Sequence, residues 1–148
     1  MRTVLSALIL SLSALAANAQ DTAEGFQQRA LSTAATPGGT RIPILCGGLF
    51  RSLAVIFDQD EVAQASFYER ENVVSDIGIA VHMMDTGLEK DAATSFIAEK
   101  TSLVTAVYLE WFTFNLETEQ DHISDKIREN YRFCDDQYTK WTTVDSEN

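Results

Sequence analysis

The chain has 148 residues, with 22 acidic against 11 basic side chains and a formal charge of −11 at neutral pH. One domain fits this length, and a hydrophobic content of 45% suits a packed core rather than a disordered tail. With 2 Pro and 7 Gly the chain is neither collagen-like nor low-complexity, and so strong an acidic excess argues against nucleic acid and anionic lipid as partners.

Residues 1–19 read as a secretory signal peptide. Met1-Arg2-Thr3 gives a short positive start, Val4 to Leu15 an apolar run, and Ala17-Asn18-Ala19 small residues at the −3 and −1 positions of a cleavage site. The apolar run is too short to cross a bilayer of ~30 Å. Gln20 rather than Cys follows the site, so no lipidated N-terminal cysteine is expected. The expectation is export, to the periplasm or the cell exterior, with no stable membrane anchor after cleavage.

Residues 20–43 are expected to form an N-terminal arm or short helix and loop. Its apolar stripe of Ala23, Phe26, Ala30, Leu31 and Ala34 is thin and ends at Pro37-Gly38-Gly39, a strong break. Residues 44–148 carry helical periodicity almost throughout. Cys46, Leu49, Phe50, Leu53 and Phe57 recur at three- and four-residue spacing and predict a helix over 44–57. Asp58 or Asp60 is placed to cap the next one, over 60–84, which carries Ala63, Phe67, Val74, Ile77, Val81 and Met84 on one face. Asp85-Thr86-Gly87 breaks it. A third main helix over 88–116 has Ala93, Phe96, Ile97, Val104, Val107, Trp111 and Phe114 in phase. Thr118, with Asp121 three residues on, offers a cap for the last helix, whose stripe is Ile123, Ile127, Tyr131, Cys134, Tyr138 and Trp141.

Four main helices joined by short connections predict an all-α fold: an antiparallel up-down-up-down bundle plus the short N-terminal helix or arm. In that arrangement the first and fourth main helices are antiparallel neighbours. Cys46 lies near the start of the first and Cys134 in the later half of the fourth, both in core phase, so their thiols meet at one end. One disulfide closing the bundle is expected, as for an even cysteine pair in an oxidising compartment.

Local chemical motifs are few. Asp58-Gln59-Asp60-Glu61 resembles the opening of a calcium loop, with Glu69 at its twelfth position. However, Val62 and Ala63 stand where an oxygen ligand and a glycine are needed, and a capped helix start explains the same acids. His82 and His122 lie on different helices, each with an acid three residues on (Asp85 and Asp125). They read as solvated histidines near helix ends, and neither a metal nor another cofactor is expected. No nucleophile elbow, phosphate loop or dinucleotide fingerprint occurs, and both thiols are expected to be bridged, so no catalytic residue is assigned.

Two features break the patterning. Arg70 falls between Phe67 and Val74, and Lys100 among Phe96, Ile97, Leu103 and Val104. Each either snorkels or pairs with a neighbouring glutamate, or the two together line an inward-facing anion site. The reverse face of the third main helix (Thr94, Ala98, Thr101, Thr105, Leu109, Phe112 and Leu116) carries few charges, and a helix apolar on more than one face is usually buried on both. The N-terminal arm is expected to cover it. The alternative cover is a partner or a second copy, with Leu109, Phe112 and Leu116 as the candidate interface and Phe112 as its aromatic anchor.

A signal peptide, a helical domain and an early and a late cysteine form a layout similar to that of several groups of small bacterial periplasmic proteins, some immunity proteins among them. The resemblance is one of architecture and carries over no functional residue. Composition and motifs favour a non-enzymatic binding or inhibitory module for another exported protein or for itself. The alternatives are a periplasmic carrier of a small anionic ligand, and an enzyme without a recognisable local motif.

Overall fold

A computed structural model of the chain describes residues 22–143; the signal segment read over 1–19 lies outside them. The described residues form five helices: α1 (Ala23–Thr33), α2 (Arg41–Ile56), α3 (Glu61–Thr86), α4 (Lys90–Glu119) and α5 (Asp125–Thr143). The fold is the expected all-helical bundle of four main helices with a short N-terminal helix. Among the described residues, no helix is long and apolar enough to cross a membrane.

Helix ends follow the local chemistry. Thr22 caps α1, its hydroxyl accepting the Gly25 amide at 3.0 Å. Of the two aspartates expected at the next boundary, Asp60 caps α3 by accepting the Ala63 amide at 3.0 Å. Gly87, in the left-handed region at φ 71°, ends α3, and its N–H returns to the Met83 carbonyl. The cap expected at Thr118 is not formed. The Thr118 hydroxyl bonds back to the Phe114 carbonyl, α4 runs on to Glu119, and Gln120 ends it at φ 59°. Asp121 instead organises the entry to α5, accepting the Ile123 amide at 2.9 Å.

The centre of the bundle is α2. Pro43 sits in its first turn, where a missing N–H costs no helical bond. From there through Ala54 almost every side chain is buried. It packs most extensively against α3 and α4, while α3 and α4 form an antiparallel hairpin. α1 packs mainly on α4, and α5 closes the other side against α2 and α3. Cys46 and Cys134 are disulfide-bonded with their Cα atoms 5.3 Å apart, tying α5 to the start of α2.

Close approach of α2 and α4 depends on a glycine. A Cβ on Gly48 would lie 2.4 Å from Val104 Cγ1 and 3.1 Å from the backbone nitrogen of Thr105. At Gly47 the nearest atom would be Thr101 Cγ2, a more accommodating 3.3 Å away. We expect Gly48→Ala to cost about 1–3 kcal/mol net, because overpacking against backbone outweighs the ~1 kcal/mol gain in helix propensity. Gly47→Ala is expected to be milder. Urea unfolding of the two variants checks the order, and equal stability would show that α2 and α4 are not held at this distance.

Candidate functional site

Arg70 and Lys100 do not meet. Arg70 is turned toward α5: its Nε donates to Asp135 Oδ1 at 3.2 Å and its guanidinium lies 5.1 Å from the centroid of the Tyr138 ring. On its own helix it donates to the Ser66 hydroxyl. The guanidinium is thus already neutralised and stacked. Lys100, half-buried on α4, makes no ion pair among the described residues. The anion site expected from these two cations is therefore not assembled.

Leu109, Phe112 and Leu116 do not form one surface either. Phe112 is 1% exposed and packs beside Tyr108, Leu109 is half-buried, and only Leu116 is open to solvent. The reason is that α4 is buried on two sides, with α2 and α3 on one and α1 on another. The N-terminal helix does cover α4, but along Trp111 and Phe114. Phe26 stacks on Trp111 at 6.0 Å between ring centroids and lies 5.4 Å from Phe114, and Arg29 pairs with Glu110.

The histidines also differ from expectation. His82 is buried, stacked on Phe96 with ring centroids 4.2 Å apart, and its Nδ1 has no hydrogen-bond partner. Asp85, three residues on, turns away and accepts the Gly39 amide at 2.9 Å. That bond pins the loop before α2. Gly38, at φ 83°, leaves room for the Asp85 carboxylate, because a Cβ there would fall 2.1 Å from Asp85 Oδ2. His122 is half-buried.

A polar link that the sequence does not announce, buried at its Glu71 end, joins three helices. Arg51 on α2 donates through Nε to Glu71 Oε1 of α3 at 2.7 Å and through Nη1 to the Ser102 hydroxyl of α4 at 3.0 Å. Glu71 is only 5% exposed, so its charge is held in place by this guanidinium.

A half-enclosed concavity is lined by other residues. A cleft of about 430 Å³ opens where α1, α2, α4 and α5 converge. Gln27 and Leu31 come from α1, Arg41, Ile42 and Leu45 from α2, Tyr108 from α4, and Asn130 and Phe133 from α5. Helical spacing puts the α1 pair on one face, and likewise the α5 pair, so that each helix contributes one wall. Ile42 and Phe133 are 37% and 42% exposed. Tyr108 itself is buried, stacked on Trp111 at 5.9 Å, and its phenol oxygen accepts from Asn130 Nδ2 at 3.3 Å.

Burial pushes the Tyr108 phenol well above its ordinary value of 10, opposed only in part by the Asn130 bond. The folded protein therefore keeps this proton where the unfolded chain releases it. The stability this represents is complete below about pH 10 and is lost as pH rises further. The thermal midpoint is expected to fall steeply above about pH 10, and less steeply in Tyr108→Phe. Equal slopes in the two proteins would show that Tyr108 ionises freely.

The chain matches no known family model, no curated protein and no solved structure.

Proposed function

We propose that this is an exported, non-enzymatic binding protein that recognises its target in the cleft between α1, α2, α4 and α5. Export is supported by the signal-peptide layout of residues 1–19 together with the Cys46–Cys134 bond, which belongs to an oxidising compartment. The observation that carries the binding role is the cleft itself, whose ~430 Å³ falls within the range of small-molecule sites and whose walls are mostly apolar with a few polar groups. Its polar members are an amide pair (Gln27 and Asn130), a guanidinium and a phenol that burial keeps protonated. None of these is a nucleophile or a general base near neutral pH, and that supports a binding role over a catalytic one.

A small anionic ligand suits this half-enclosed concavity better than another protein does. The protein-binding reading rests on Ile42 and Phe133, two exposed apolar side chains at the cleft. Native mass spectrometry of gently purified protein tests the choice. The expected result is a bound small molecule that is lost on unfolding and absent from Leu45→Trp, in which the indole fills the cleft. A protein complex abolished by Phe133→Asp, with no small adduct, would overturn the small-ligand reading in favour of the protein partner. Neither adduct nor complex would remove the cleft as the recognition site.

A further inference from the structure

We propose that the cleft is a site for a small amphipathic carboxylic acid, with the Arg41 guanidinium holding the carboxylate and Leu31, Ile42, Leu45 and Phe133 enclosing an apolar tail. This rests on the reading of the cleft as a binding site and adds the chemistry of its occupant.

The charge around the cleft is the reverse of the charge of the molecule. Acids outnumber bases by 22 to 11 in the chain, yet none of the side chains lining the cleft is acidic and one is a guanidinium. Arg29, Arg51, Arg70, Lys126 and Arg128 each lie against a carboxylate of the protein. Arg41, like Lys90, Lys100, Arg132 and Lys140, has no such partner among the described residues, but it alone of these lines the cleft, where a ligand carboxylate would find it uncompensated. The start of α2 adds to this. Thr40, the residue before Arg41, makes no side-chain bond to the helix end and shares its hydroxyl with Thr36 at 2.8 Å. The positive end of the α2 dipole is left at Arg41 and Ile42.

A neutral alcohol would leave Arg41 unanswered, and an amine would be repelled by it. A phosphate dianion, with three oxygens and two charges, would need more cationic donors than this one guanidinium. A carboxylate matches in charge and in its two oxygens, and the aliphatic and aromatic side chains account for the tail.

Calorimetric titration of the purified protein with decanoate, below its micellar range, tests the proposal, with decylamine and acetate as comparison probes. Decanoate is expected to bind, and the other two at least about tenfold more weakly, a difference of ~1.4 kcal/mol. Arg41→Gln alters an exposed side chain, so folding is not at issue, and it is expected to weaken decanoate about tenfold while leaving decylamine no weaker. Leu45→Trp is expected to block every alkyl probe. If decanoate and decylamine bind equally and Arg41→Gln changes neither, the carboxylate assignment is wrong while the cleft remains a binding site. If no alkyl probe binds, or binding persists in Leu45→Trp, the cleft reading fails together with it.

Discussion

Phe112→Asp is expected to leave the protein largely unfolded at room temperature. Phe112 is among the largest fully buried side chains, set beside Tyr108 in the same core that holds Trp111. Removing a buried phenyl ring costs about 3–5 kcal/mol, and a carboxylate left in its place without a partner costs several more. Domains of this size have only about 5–15 kcal/mol of stability to lose. Leu116→Asp, one turn further along α4 at a side chain 44% exposed, is expected to cost under about 1 kcal/mol. Far-UV circular dichroism and urea titration of the two variants make the comparison. A cooperative, helical Phe112→Asp protein would mean that this face of α4 is open after all.

Opening the disulfide ranks second. Cys46 and Cys134 are separated by 88 positions, and closing a loop of that length removes about 4–5 kcal/mol of chain entropy from the unfolded state. Reduction is therefore expected to lower the urea midpoint sharply while preserving helicity, because the two sulfurs stay packed in a core that the other helices complete. Peptide mapping without reductant is expected to recover Cys46 linked to Cys134. Free labelling of both thiols in the folded protein, or an unchanged midpoint after reduction, would contradict it.

The architecture was legible because it is written in spacing. Cys46 and Cys134 share the core phase of their helices, and the stripes of α2 and α5 point where the periodicity says they do. On α3 the hydrophobic stripe and the buried face differ by a rotation. Hydrophobicity places the inner face along 63, 67, 74, 77, 81 and 84, whereas Glu71, Val74, Gly78 and His82 are the buried positions and Met84 is 78% exposed. Three of those four are not aliphatic. Glu71 is admitted by Arg51, Gly78 by the nearness of Pro43 and Ile97, and His82 by the Phe96 ring. Each reason lies on another helix. Arg70 therefore interrupts the hydrophobic stripe but not the buried face, which runs one residue away. The cleft was illegible for the same reason: four helices contribute to it, and a tyrosine, an asparagine and an arginine far apart in sequence carry no shared spacing.

α2 is apolar nearly all the way round. In the finished molecule that makes it the axis on which the other helices are hung. A chain made from its N-terminus, however, presents α2 before α3 and α4 exist to enclose it. Of the described helices only α1 precedes it, and α1 rests mainly on α4, which has also yet to appear. Half-made chains of this protein thus display their stickiest segment early and cover it late. Crowded nascent copies would associate through α2 rather than through any surface of the completed fold.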